Sequence, residues 1–416
     1  MRRVYGSGSR HLLPRLRVSG RTARPTAAQV PYSEQMHAVR RLVRPAALLA
    51  VAAALVAAVP AASAAPLQLH AGAALSLTGD AAAYGLSTRR GIDMAVEEIN
   101  DGGVPGVRMD VSTIDDMSTD AGAAIAFGVF FRRGVAAIMG PTLSSVALNI
   151  DPFAQGARLP VLAVSNTQPG ISEIGSFIFR PALTEEYVLP RVVRAVARSP
   201  LAPKTAVVIQ GSDSFAATSG PLLVSALSGN GLTVLATELV APGTTDYSAI
   251  ADDVVAKDPD IVAISALAPE AVPLLKALRT AGYRKAVIGS NGLNSLAVTK
   301  GAGSAANKLI TGTAWAGWNA TKANKRFVKA FRRKYHTSPD QFAATGYAYT
   351  YVLATAAVRG GTATADGIRQ ALAGIVPGKG VKTLLGGFAF TAGRDGRSPV
   401  LVQQFRSGRW HAFNPS

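Results

Sequence analysis

Four stretches of the chain gather hydroxyl, amide and carboxyl side chains where a small ion could be held. They are Ser76-Leu77-Thr78-Gly79-Asp80 with Tyr84-Gly85, Gly140-Pro141-Thr142-Leu143-Ser144-Ser145, Ser165-Asn166-Thr167, and Ala268-Pro269-Glu270. Each follows a short apolar run, so small polar groups sit beside the free N–H groups of helix starts. Together such groups form a nest for an anion. Glu270 faces them with a carboxylate, which suits a cation. Plainer roles are open to the same residues. Ser144 and Ser145 could cap a helix, and Thr167 could be a turn residue. Glu270, after Pro269, could be a first-turn acid that complements the helix dipole.

Catalytic patterns find little support. The three histidines beyond the N-terminal region, His70, His336 and His411, have no metal-ligand spacing. Ser144 lies in GPTLSS, not in a nucleophile elbow. Gly301-Ala302-Gly303-Ser304-Ala305-Ala306 fits G-x-G-x-x-A but lacks a convincing strand before it. Neither an enzyme activity, a cofactor nor a metal is expected.

The elements that must position these loops alternate between strand and helix. Strands are expected at Leu67–Leu75, Met109–Ile114, Val135–Met139, Val161–Val164 and Phe177–Phe179. A second run follows at Ala206–Ile209, Val234–Leu239, Ile261–Ile264 and Val287–Ile288. Between the first two strands, Ile92, Ala95, Val96 and Ile99 mark one helix face, ended by Asn100-Asp101-Gly102-Gly103. Long helices return near Asn324–His336 and Tyr347–Val358, and Gly387–Phe390 with Val400–Phe405 reads as a hairpin-like end. Short buried strands alternating with helices predict parallel sheets covered on both faces, and two runs predict two doubly wound α/β lobes. In such sheets a ligand sits beyond the carboxyl ends of the strands, which is where the polar loops fall.

The N-terminal region reads as an export signal. Arg40, Arg41 and Arg44 precede an uncharged stretch from Ala46 to Val59, and Ala62-Ser63-Ala64 is a small-x-small cleavage site. The expectation is a signal peptide over 36–64, a mature chain from Ala65, and residues 1–35 as a misassigned upstream extension, with a genuine basic tail as the alternative. An uncleaved anchor needs about 20 apolar residues, and Pro60 with the small residues after it argues for cleavage. Arg40-Arg41 is a weak twin-arginine hint.

The whole chain has 43 Lys and Arg against 25 Asp and Glu, a net charge of +18. Residues 1–64 hold ten of the Arg and one acid, so a chain from Ala65 has 33 against 24, a net of +9. That is too modest a charge to indicate nucleic acid. The densest basic cluster, Lys325-Arg326, Lys329 and Arg332-Arg333-Lys334, is interleaved with Phe327 and Phe331, as on the wet side of an amphipathic helix. The chain has no cysteine, hence no disulfide and no lipid-attachment Cys. A soluble exported binding protein without a lipid anchor is expected in a Gram-negative periplasm. The remaining 352 residues suit two interleaved domains, with 48% hydrophobic residues over the whole chain for their cores.

At "LSLTGDAAAYGLSTRRGIDMAVEEINDGG", "DDMSTDAGAA", "VAAIMGPTLSSVAL", "LPVLAVSNTQPGI", "GTTDYSAI" and "APEAVPLLKALRTAGY" the chain resembles the branched-chain amino-acid-binding proteins, type I periplasmic solute-binding proteins of ABC transporters. The resemblance implies two lobes joined by three crossing segments, with residues 65–185 and 292–383 in one lobe and 186–291 and 384–416 in the other. It implies that Ser144, Ser145 and Thr167, with Ser165 and Asn166 beside them, hold a ligand carboxylate, and that Glu270 pairs with its amino group. Aromatic walls fall at Tyr84, Phe215 and Tyr247, with Trp318 a looser match. Phe215 stands where many relatives have Tyr, and "GSDSFAATSG" around it is atypical. The implied partners are a small-molecule ligand and ABC-transporter permease subunits. A monomer is expected, with no nucleic acid. A ligand sensor of the same fold is the alternative function, and aromatic acids or amides are the alternative ligands.

Overall fold

The computed structural model describes residues 65–414. The expected upstream extension, signal peptide and cleavage site lie in residues 1–64, outside the described residues. The first run reads β1 (Leu67–Leu75), α1 (Ala82–Glu98), β2 (Val107–Asp115), α2 (Asp120–Arg133), β3 (Ala137–Met139), α3 (Ser144–Gly156), β4 (Val161–Leu162) and β5 (Ile178–Phe179). Its five strands form one parallel sheet in the order β2-β1-β3-β4-β5. Strand alternation explains why both faces are covered. Ala71, Ala73 and Leu75 of β1 pack into one core with Ile92 and Ala95, and Ala74 packs into another with Phe127, Phe130 and Ile150.

The second run continues α4 (Glu185–Ala197), β6 (Thr205–Gln210), α5 (Ser214–Ser228), β7 (Thr233–Leu239), α6 (Ser248–Lys257), β8 (Ile261–Ser265), α7 (Ala268–Thr280), β9 (Ala286–Gly289), α8 (Leu296–Ala302) and β10 (Leu309–Thr313). After it come α9 (Lys322–Tyr335), α10 (Gln341–Gly360), α11 (Ala365–Ala373) and β11 to β15: Val381–Thr383, Gly386–Phe390, Gly396–Arg397, Leu401–Arg406 and Arg409–Ala412. The second sheet runs β15-β14-β10-β9-β8-β6-β7, parallel from β7 to β10 and antiparallel at β14 and β15. Here too alternate residues serve different cores: Ile261 and Ala263 one, Val262 and Ile264 the other.

The chain passes between the lobes three times, at 180–184, 314–321 and 398–400, where consecutive elements change lobe. This is the expected α/β architecture, with two changes of detail. β10 joins the second sheet, although it falls in the stretch 292–383 expected in the first lobe. The small antiparallel sheet β11-β12-β13 lies against the first lobe, with Phe388 beside Tyr349 and Phe390 beside Phe179, although residues from 384 were expected in the second. In consequence β12 and β14 are not a hairpin: β12 pairs with β11 and β13, and β14 with β10 and β15.

The basic cluster is the solvent face of α9. Thr321 caps the helix by accepting from the Asn324 N–H, and Phe327 and Phe331 are buried beneath it, each such side chain contributing about 1.5–3 kcal/mol by leaving water. The stretch Gly301–Ala306 is the end of α8 and the 3-10 turn after it, not a strand-to-helix loop that could cradle a dinucleotide.

Candidate functional site

β1, β3 and β4 end side by side, and one buried carboxylate organises the loops beyond them. Asp116 accepts from the Ser76 hydroxyl at 2.6 Å, the Thr142 N–H at 3.0 Å and the Ser118 N–H at 2.9 Å. The Ser76 N–H in turn donates to the Thr142 hydroxyl at 2.8 Å. Gly140 is required at the turn out of β3: its φ is +109°, and a Cβ there would lie 2.0 Å from the Ala74 carbonyl oxygen.

α3 then starts at Ser144 after Leu143, with no side chain capping it. Ser144 is the first residue of the helix rather than its cap, and the N–H groups of the first turn remain open to a ligand. The Ser144 hydroxyl accepts from the Thr167 N–H at 3.2 Å, which leaves its own proton to donate.

Tyr84, on α1, brings the second lobe over this site. Its hydroxyl accepts from the Ala268 N–H at 2.7 Å and donates to the Gly292 carbonyl at 3.0 Å. Its ring meets Phe342 edge-on at 4.8 Å. Burial pushes this phenol well above its ordinary pKa, so it stays protonated. The pocket between the lobes, open to one side, is lined by Tyr84, Thr142, Leu143, Ser144, Ser165, Thr167, Phe215, Leu267, Asn291, Gly292 and Phe342.

Two carboxylates of the second lobe stand close by. Asp213 caps α5, accepting from the Phe215 and Ala216 N–H groups through Oδ1, while Oδ2 is buried without a partner. Burial raises its pKa, and the nearby charge of Glu270 pushes the same way. Glu270 accepts from the Ser212 hydroxyl at 2.5 Å and from the Ser212 N–H at 3.1 Å.

A second, smaller chamber, with room for about one water-sized group, adjoins the pocket and shares Ser165, Thr167, Asn291 and Phe342 with it. It lies at the hinge, walled by Ala182 and Leu183 of the first crossing and by Thr313 and Ala314 at the start of the second. Glu185, the first residue of α4, reaches it and is 1% exposed. Its Oε1 accepts from the Asn291 N–H at 2.7 Å, and its Oε2 is buried without a partner. Burial pushes its carboxyl up to about 7.

Of the residues expected from sequence, Tyr84, Ser144, Ser165, Thr167 and Phe215 meet at one pocket. Asn166 is buried behind it, donating to the Thr142 carbonyl. Ser145, the second residue of α3, does not line the pocket. Nor do Glu270 and Tyr247; they stand beside one another in the second lobe, where Glu270 helps burial raise the Tyr247 pKa. The Tyr247 hydroxyl donates to the Thr244 carbonyl at 3.1 Å. Trp318 lies elsewhere: it is 36% exposed and lines a separate cavity with Trp315 and Trp410. The second crossing carries it away from the pocket. The sequence reading missed Asp213, Glu185, Asn291 and Phe342. Asp213 lay within the stretch already marked as atypical.

A family model described as "Periplasmic binding protein" matches residues 68–411. Leu/Ile/Val-binding protein BraC3 of Rhizobium johnstonii is 24% identical over 343 residues, covering 81% of this chain and 90% of that protein. Among solved structures, the substrate-binding protein LivJ of Streptococcus pneumoniae, in complex with isoleucine, superposes with a TM-score of 0.75 at 22% identity, over 83% of this chain and 98% of that one. A solute-binding protein of an ABC transporter from R. palustris, in complex with benzoate, superposes with a TM-score of 0.73 at 18% identity, over 83% of this chain and 96% of that one. The structural likenesses show a shared fold.

Proposed function

We propose that this chain, which belongs to the periplasmic binding protein family, captures an α-amino acid between its two lobes and delivers it to the permease of an ABC transporter. The observation that carries the reading is the opposition of charge preferences around one pocket. The uncapped N-terminus of α3, with the Ser144 hydroxyl, favours a carboxylate. Asp213 and Glu270, in the other lobe, favour an ammonium group. Tyr84, Phe215 and Phe342 offer an apolar wall for the side chain. Glu270 reaches the ammonium when the ligand takes over part of its bonding to Ser212.

The export signal supports a periplasmic protein with Ala65 at its N-terminus, and the protein acts as a monomer. A second reading, an aromatic carboxylic acid held on α3, is favoured by the three aromatic rings of the pocket and by the benzoate bound to a protein of this fold.

A thermal-shift screen of the twenty L-amino acids, benzoate and small amides tests the reading, because a ligand at a hundredfold excess over its Kd stabilises by about 2.7 kcal/mol. Calorimetry then compares the best amino acid with the same molecule lacking its amino group. Breaking a buried charge pair costs roughly 2–5 kcal/mol and about 1.4 kcal/mol is tenfold, so the deaminated form binds at least tenfold more weakly. Glu270→Gln removes most of that difference, while Ser144→Ala weakens both forms alike. Benzoate binding without any amino acid establishes the second reading instead.

A further inference from the structure

On the amino-acid reading, the groups in and beside the pocket take a ligand's carboxylate and amino group; the hinge chamber next to it has chemistry of its own. Its walls mix apolar groups, from Val164, Leu183 and Val188, with polar ones. The polar groups near them are mostly matched. Gln341 accepts from the Thr313 hydroxyl and the Ala314 N–H, and donates to the Asn291 amide oxygen. The Thr345 hydroxyl donates to the Phe342 carbonyl. Glu185 differs, since one carboxyl oxygen is anchored by the Asn291 N–H and the other is buried with no protein partner. A polar atom left unpaired in such surroundings is costly, so a group that pairs with it gains most of that cost back. Because the chamber shares four lining residues with the pocket, a side chain extending from a ligand on α3 can reach into it.

We propose that Glu185 is a specificity-determining residue: its free carboxyl oxygen selects amino acids whose side chain ends in a hydroxyl or a primary amide over the aliphatic ones. The inference rests on the amino-acid reading of the cleft. Hydroxyls and amides each carry both a donor and an acceptor. They therefore pair with this carboxyl whether it is ionised or protonated, which a fully cationic side chain does not. An aliphatic side chain of the same shape leaves the oxygen orphaned, and a site built to bond a polar group rejects analogues that lack it.

Matched pairs of nearly equal shape give the test. Threonine is compared with valine, and asparagine with leucine, by calorimetry on the wild-type protein and on Glu185→Met. The wild type binds the polar member of at least one pair tenfold or more tightly, and Glu185→Met brings that ratio to about one or reverses it. If Glu185→Met does not fold, as judged by circular dichroism, Glu185→Ala serves for the same ratio. Equal affinities within both pairs in the wild type overturn the assignment and leave the amino-acid reading standing. So does a polar preference that survives substitution of Glu185, and so does binding confined to amino acids without a side-chain donor. Failure of every amino acid to bind the wild type overturns both readings together.

Discussion

Tyr84 ties the two lobes together through one oxygen atom. Tyr84→Phe keeps the ring against Phe342 and removes the bonds to the Ala268 N–H and the Gly292 carbonyl. With the lobes together these buried groups lose their partner, at about 1–3 kcal/mol for an unsatisfied group; with the lobes apart, water supplies one. The substitution is therefore expected to weaken ligand affinity about tenfold while leaving the unliganded melting temperature nearly unchanged. Calorimetry and a melting curve on the variant check both parts, and unchanged affinity would show that closure does not use this hydroxyl. The polar residues at the ends of the apolar runs were legible in sequence: Ser144, Ser165 and Thr167 come together because parallel strands deliver their following loops to one edge. Asp213, Glu185 and Phe342 were not. Each reads as an ordinary residue of a helix start, and each is one. Nothing in a one-dimensional pattern tells which cap or first-turn residue turns its atoms toward a cleft.

The close contact of α1 with α10 depends on two glycines. A Cβ on Gly91 would lie 1.9 Å from the Ala343 carbonyl oxygen, and one on Gly346 would lie 2.5 Å from that of Thr88. The two backbones meet at these glycines, and the same helices carry Tyr84 and Phe342 to the pocket. Gly91→Ala forces the helices apart and is expected to destabilise the fold by about 1–3 kcal/mol or more, read as a lower denaturation midpoint in urea. An unchanged midpoint would mean that the contact gives way without cost. Most strands were legible from their apolar runs, but β10 was not. Its sequence, LITGT, is half polar, yet the strand is buried throughout. The Thr311 hydroxyl donates to the Asn294 amide oxygen at 2.7 Å, and the Asn294 amide donates to the Gly312 carbonyl at 2.8 Å. Gln403, from β14, donates to the same Asn294 oxygen at 3.1 Å. Polar strand residues are buried there because partners distant in sequence satisfy them, and no local period reports such partners.

At the scale of the whole molecule, the lobes share no sheet and are joined by three crossings, which suits hinge closure on a ligand. The two-lobed plan was legible because two strand–helix runs succeed one another. The return of β14 and β15 to the second sheet, with β11–β13 left on the first, was not, because antiparallel edge strands carry no mark of the sheet they complete. Closure is the central claim, since the groups proposed for carboxylate and ammonium belong to different lobes. Small-angle X-ray scattering on the chain from Ala65, with and without the amino acid that gives the largest thermal shift, measures it directly. The account predicts a smaller radius of gyration at saturation, with a curve matching the lobes joined through Tyr84, and a larger radius without ligand. An identical radius in the two states, at a concentration where calorimetry shows the site filled, would contradict it.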